Sequence, residues 1–188
     1  MLGTKNPKKL EEIRRIFNDF TVIEFLTYRE RPFSDVVEDG NSFRENALKK
    51  ARVICDETKL PVLAEDSGLE VEALDGEPGV RSARFAGENA KDRENIEKLL
   101  GLLKGVKSRR ACFRCVAVIR FPDGRTFVAE GELKGRISEA PRGTSGFGYD
   151  PVFIPQGYTK TLAELGASVK DGISHRRRAL ERLKSFLA

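Results

Sequence analysis

Two runs of apolar and β-branched residues between Ala111 and Leu133 flank Pro122-Asp123-Gly124-Arg125. Proline presets φ and glycine accepts the left-handed region, so this tetrapeptide predicts a tight turn and the flanks a long hairpin. Upstream the pattern alternates instead. Leu10, Ile13, Ile16 and Phe17 have helical spacing within Lys8–Phe20, with Pro7 suited to the first turn. Thr21–Thr27 reads as a strand, and Ser42–Thr58 as a helix with Ser42 and Glu45 forming a capping box. Pro61–Ala64 reads as a short buried strand ending at Glu65-Asp66-Ser67-Gly68, and Asn89–Leu103 as a further helix. A glycine-rich loop covers Arg142–Asp150, and Ser174–Leu187 has helical spacing with Ser174 as candidate N-cap. Strands alternating with helices, then a hairpin, predict an α/β protein with a mixed sheet. No repeat, linker or low-complexity tract divides the chain, so residues 1–188 read as a single domain.

Composition narrows the function classes. Hydrophobic residues make up 39% and charged residues 34%, and no apolar run approaches the roughly 20 residues that span a bilayer. The polar start shows no signal-peptide pattern, and three cysteines suit a reducing cytoplasm. Cys112 and Cys115 have C-x-x-C spacing, but three residues along a strand they face opposite sides and read as buried thiols. The net charge of +5 is mixed along the chain and suits an anionic ligand.

Four segments carry candidate chemistry. Glu65 and Asp66 follow an apolar strand, and ligands of α/β sheets gather at the carboxyl ends of strands. Their oxygens suit a hard cation such as Mg²⁺, with Asp66 favoured because the Ser67-Gly68 turn exposes it; a plain solvated turn is the alternative. Thr4-Lys5-Asn6-Pro7-Lys8-Lys9 opens a helix whose backbone amides and Lys9 favour an anion, although the Walker A glycines and lysine are absent. His175, Arg176 and Arg177 place cations at the positive end of a helix, which calls for an anionic ligand or for carboxylates of the chain. Gly143, Gly146 and Gly148 allow close backbone approach, while Phe147 and Tyr149 offer flat surfaces for a base and Asp150 an acceptor.

Seven blocks match a family in order: GTKNPKKLEE, VEDGNSFRENALKKA, AEDSGLEV, PGVRSARFAG, GTSGFGYDPVF, KTLAEL and ISHRRRAL. Together they resemble the inosine triphosphate pyrophosphatase family, enzymes also called noncanonical purine NTP pyrophosphatases or XTP/dITP diphosphatases. The resemblance implies Mg²⁺-dependent hydrolysis of ITP, dITP and XTP to the monophosphate and pyrophosphate, which clears them from the nucleotide pool. It implies an elongated mixed β-sheet flanked by helices, with two lobes and a central cleft, usually as a homodimer. It assigns catalysis and metal binding to Asp66, and metal binding also to Glu38 and Glu65. Thr4, Lys5, Asn6 and Lys9, with Lys50, fall on the phosphate side, and Ser67 on a substrate contact. Phe147, Gly148, Tyr149 and Asp150 fall on the base-binding loop, and Lys170, His175 and Arg176 on residues that close over the base.

Three positions depart from the family pattern. Only Met1 and Leu2 precede Gly3, which implies a shortened first strand or a truncated start. Lys5 stands where glycine is usual, and Glu65 where aspartate is more frequent. Two other readings remain at this level: a pyrophosphatase for pyrimidine or modified nucleotides, and a non-enzymatic nucleotide or single-stranded nucleic-acid binder with Phe147 as stacking platform.

Overall fold

The predicted hairpin forms around a glycine turn. In the computed structural model, which describes residues 1–18, 23–184 and 186, Phe121 N donates to Arg125 O across the turn. Gly124 has the positive φ of 93° that the turn demands. The strands run longer than expected, as β2 (Arg110–Arg120) and β3 (Thr126–Ile137). With β1 (Val62–Val71) and the short β4 (Phe153–Pro155) they form one sheet in the order β1-β2-β3-β4. β4 runs antiparallel to β3, with Gly135, Arg136 and Ile137 opposite Pro155, Ile154 and Phe153. Leu2 adds a parallel bridge to Leu63, which makes the pairing mixed.

The α-helices among the described residues are α1 (Pro7–Ile16), α2 (Phe43–Thr58), α3 (Asp92–Leu102), α4 (Leu162–Ile173) and α5 (His175–Lys184). Ser42 caps α2 by accepting from Glu45 N, but Glu45 reaches back to Asn41 N, one residue beyond a reciprocal box. α4 begins at a complete box, with Thr161 Oγ1 accepting from Glu164 N and the Glu164 carboxylate accepting from Thr161 N. Two helical pieces of α4 meet at Gly166, whose φ of 79° breaks the helical path.

Two expectations need correction. Thr21 and Val22 lie outside the described residues, and residues 23–27 form no strand. Leu2 N donates to Leu26 O at 2.8 Å, which links that segment to Leu2. Phe20 and Leu187, placed in helices, also lie outside the described residues. The strand expected to stop at Ala64 continues to Val71 with no turn at Ser67-Gly68. Residues 62–66 are buried without interruption, so both faces of the strand are covered and the carboxylates do not end it.

The chain forms two compact units. Unit 1 comprises Met1–Asp66, Cys115–Gly131 and His175–Ala188; unit 2 comprises Ser67–Arg114 and Glu132–Ser174. The core of unit 1 gathers Leu2, Ile13, Ile16, Leu63, Ala117 and Leu180. That of unit 2 gathers Leu69, Leu99, Phe113, Ile137, Phe153 and Leu162. Within unit 1, α5 lies directly on the backbone of β3 at Gly131. A Cβ there would fall 2.1 Å from the His175 carbonyl and 2.5 Å from Ala179 N.

Candidate active site

In unit 1, β1 brings Glu65 and Asp66 into the interior with 2% and 6% of their surfaces exposed. Adjacent strand residues face opposite ways, so the two carboxylates meet different partners. Asp66 faces α2. Asn46 Nδ2 donates to its Oδ2 at 3.1 Å, and Lys50 Nζ lies 3.6 Å from its Oδ1. Asn46 and Lys50 are four residues apart and therefore neighbours on one face of the helix. Lys50 Nζ also lies 3.1 Å from Glu38 Oε2. The loop carrying Glu38 is tied to the same helix, because Gly40 N donates to Asn46 Oδ1 at 2.8 Å and Asp39 pairs with Lys49. The expected Glu38, Lys50 and Asp66 thus come together, with Asn46 as a member that the sequence reading missed.

Glu65 meets different groups. Lys9 Nζ lies 2.7 Å from its Oε1, Arg176 Nη2 lies 3.5 Å from each oxygen, and Cys115 Sγ donates to Oε2 at 3.4 Å. Arg176 Nη1 lies 2.7 Å from Glu12 Oε2. The cations at the start of α5 are therefore answered, for Arg176, by carboxylates of the chain itself. Glu12 was also missed; it stands three residues after Lys9 on α1, the spacing that places both on one helix face. Cys115 and Cys112 are both free thiols.

The ionisation of the two neighbouring carboxylates diverges. Burial opposes the charge of Glu65, but Arg176 and then Lys9 hold it well below the usual carboxylate range. Burial pushes Asp66 up to about 6, against the pull of Lys50 and Lys9 and with the help of Glu38 and Glu65. Burial also opposes the Lys9 charge, and Glu65 overcomes it to raise the ammonium above its usual value. The Cys115 thiol is driven up by burial and by Glu65, and so stays protonated.

The amino-terminal loop differs from the expected backbone nest. Asn6 Oδ1 accepts from Lys8 N at 3.0 Å and Lys9 N at 3.2 Å, and Thr4 Oγ1 accepts from Asn6 N at 3.2 Å. These side chains satisfy the first amides of α1, which leaves the Lys9 side chain as the cation of this segment that reaches the buried carboxylates. Lys5 is engaged elsewhere, 2.8 Å from Asp35 and over the Phe33 ring.

Unit 2 carries the second set. Lys170 Nζ pairs with Asp150 Oδ2 and lies 4.2 Å from the centroid of Phe147. Asp150 also accepts from Phe147 N at 2.9 Å, and Gly148 N donates to Asp92 at 2.8 Å. Gly146 is obligatory in this loop: φ is 81°, and a Cβ would fall 2.1 Å from Asp150 Oδ2. Tyr149 corrects the sequence reading. It is 3% exposed and donates from its hydroxyl to Ser82 O, so it is a core residue and offers no ring face to a base. Ser67 is half-buried on β1, and His175 is buried at the first position of α5. An open groove of about 720 Å³ in unit 2, lined among others by Glu70, Arg110, Cys112, Arg136 and Tyr158, contains none of the expected site residues.

Comparison with known proteins decides the family, since the Ham1 family model matches residues 1–186. The chain belongs to the Ham1 family. A dITP/XTP pyrophosphatase of Geobacter sulfurreducens is 48% identical over all of this chain and 95% of that protein. One of Shouchella clausii is 45% identical over the same shares. A Ham1 protein structure from Coxiella burnetii matches with a TM-score of 0.90 at 40% identity, over 99% of this chain and 96% of that one. The Ham1 protein of Staphylococcus aureus gives 0.88 at 42% identity with the same coverage. The resemblance carried by the seven blocks is thereby borne out, as is the α/β fold of a Ham1 protein. Among the described residues no helix is long and apolar enough to cross a membrane.

Proposed function

We propose that this chain is a nucleoside-triphosphate diphosphatase that hydrolyses dITP, ITP and XTP to the monophosphate and pyrophosphate. In this reading the whole chain is one catalytic domain, acting in the cytoplasm as a Mg²⁺-dependent homodimer that clears these nucleotides from the pool. The observation that carries it is the convergence of Glu38 and Asp66 on a single cationic point, the ammonium of Lys50.

That convergence tests the fit of a metal. Nucleotide pyrophosphatases generally need a divalent cation. Two hard carboxylates around one cation-sized position suit Mg²⁺, which takes one or two protein carboxylates and completes its shell with water and phosphate. Glu38 and Asp66 would hold the ion, and when bound it neutralises phosphate charge and polarises the phosphorus under attack.

The chain's own residues supply the rest. Lys9 and Lys50 attract the polyphosphate and stabilise charge that develops on its oxygens. Asp66, raised to about 6, is ionised at neutral pH yet basic enough to accept the proton of the attacking water. Pyrophosphate is the leaving group. In unit 2, Phe147 offers a ring face to a base, and its other neighbour Lys170 fixes Asp150 as an acceptor. In unit 1, Thr4 and Asn6 shape the loop before Lys9, and His175 and Arg176 are assigned to base recognition; in unit 2, Ser67 is assigned a substrate contact and Gly148 belongs to the base-binding loop. Glu12 holds Arg176 in orientation, its Oε2 2.7 Å from Nη1.

Pyrophosphate release from a panel of triphosphates, with and without Mg²⁺, tests the proposal. ITP, dITP and XTP stand well above GTP, with ATP and the pyrimidine nucleotides lowest. Hydrolysis of ATP as efficiently as ITP, or binding without pyrophosphate release, overturns it.

A further inference from the structure

We infer that Glu65 is a positioning residue that holds the Lys9 ammonium against the polyphosphate, and that it is not a metal ligand. The inference rests on the proposed function, and deepens it by assigning the second acid of the pair. Glu65 and Asp66 are adjacent in the chain, but their surroundings are opposite in kind. Asp66 shares its cation with a second carboxylate, the arrangement that a metal would exploit. Lys9 acts electrostatically on both carboxylates, and its ammonium makes its close contact with Glu65. Its oxygens face an ammonium at 2.7 Å, a guanidinium at 3.5 Å and a thiol at 3.4 Å, all in unit 1.

A carboxylate with three donors around it has few lone pairs left for a cation, and Arg176 would repel a divalent ion placed there. The same donors make it a rigid anchor. The carboxylate is buried, Cys115 is wholly buried, and Arg176 is fixed from its far side by Glu12. Lys9 is the member that reaches outward, with 17% of its side chain exposed against 1% for Glu65. A lysine stem has four rotatable bonds, so an isolated ammonium wanders. Anchored at one point, it presents its remaining N–H groups in a fixed direction. The two methylenes of the Glu65 side chain carry its carboxylate to the ammonium from a strand whose backbone is itself fixed by β1 pairing.

A double-mutant cycle separates this role from metal binding. Glu65→Gln, Lys9→Met and the double variant are compared by kcat, KM and the Mg²⁺ concentration for half-maximal rate. Binding of inorganic pyrophosphate in Mg²⁺ is measured calorimetrically on the same proteins, so the cycle is read even if the wild type releases no pyrophosphate from any nucleotide. The latter result would overturn the proposed function alone. We expect Glu65→Gln to raise KM and to weaken pyrophosphate binding about tenfold, with the Mg²⁺ requirement within about twofold of wild type. Adding Glu65→Gln to Lys9→Met should then cost less than about twofold more. Glu65→Asp, which keeps the charge, should recover most of the loss, and serves as the comparison if Glu65→Gln fails to fold. A shifted Mg²⁺ requirement in Glu65→Gln, or additive effects of the two substitutions, or no effect of either on pyrophosphate binding, overturns the inference.

Discussion

Asn46 donates from Nδ2 to Asp66 Oδ2 at 3.1 Å, and the same carboxamide accepts from Gly40 N at 2.8 Å. One buried side chain thereby fixes the strand carboxylate and the loop that carries Glu38. Partners of metal-ligating carboxylates typically contribute 10- to 100-fold to affinity or activity. Asn46→Ala should therefore lower kcat/KM by about 10- to 100-fold and raise the Mg²⁺ concentration for half-maximal rate. Steady-state kinetics across a Mg²⁺ titration check this, and a normal Mg²⁺ dependence would contradict it.

In the proposed mechanism, Asp66→Asn removes both a metal ligand and the proton acceptor. Turnover should fall by at least about 100-fold while circular dichroism stays native. Near-normal pyrophosphate release from a folded variant would take Asp66 out of the mechanism.

The raised pKa of Asp66 has consequences of definite sign. At limiting Mg²⁺, holding the cation requires the ionised form of Asp66, so kcat/KM should climb as pH rises through about 6. Higher Mg²⁺ should move that midpoint down, because the metal displaces the proton. For stability in chelator, the folded value of about 6 exceeds the ordinary 3.8, so the stability contributed by Asp66 is present below 3.8 and lost as pH rises through about 6. Glu65 acts oppositely: its contribution is present above the ordinary 4.5 and is lost as pH falls through its depressed value. Thermal unfolding in chelator should show Asp66→Asn more resistant than wild type at pH 7.5, and a lower melting temperature would refute the assignment.

In unit 2, Asp150 and Lys170 form a pair with 1% and 5% exposure. Asp150→Asn leaves a buried ammonium without its anion, and should cost about 3–5 kcal/mol in denaturant unfolding. Phe147→Leu leaves that pair in place. It should raise KM for ITP several-fold with little loss of stability, which separates the ring's contact with a base from its packing on Lys170.

Base selection gives the last test. Hypoxanthine presents a keto oxygen and a ring N–H where adenine presents an amino group and a bare nitrogen, so donors and acceptors are exchanged along that edge. Each polar group left unpaired by ATP costs about 1–3 kcal/mol, enough to reject it by two or more orders of magnitude. Arg176→Ala should compress the ratio of kcat/KM for ITP over ATP. An unchanged ratio would limit Arg176 to holding Glu12 and Glu65.

The hairpin, α2 and the start of α5 were legible because each rests on local signals: turn residues, a cap, a helical period. The continuation of β1 through Glu65-Asp66-Ser67-Gly68 was not, because charged residues in a strand are explained only by distant partners such as Lys9, Asn46 and Arg176. α4 was missed although Thr161 and Glu164 spell its capping box; Gly166 interrupts the periodicity that would have revealed it. Of the candidate residues that meet in unit 1, Glu38 and Lys50 came from the family blocks and Asp66 already from the strand-end carboxylates, whereas Tyr149 was misread since an aromatic beside glycines looks the same whether it faces a ligand or the core.

Gly131 has no role in any of this chemistry, yet the first residues of α5 rest on it. A methyl group at position 131 would lift the backbone of His175 and Ala179, and Arg176 would move with them. Selection for the catalytic groups thus extends to a residue that touches no substrate. Among descendants of this gene, drift at position 131 should be as constrained as at Asp66, and any lineage that admits a larger residue there should show compensating change along α5.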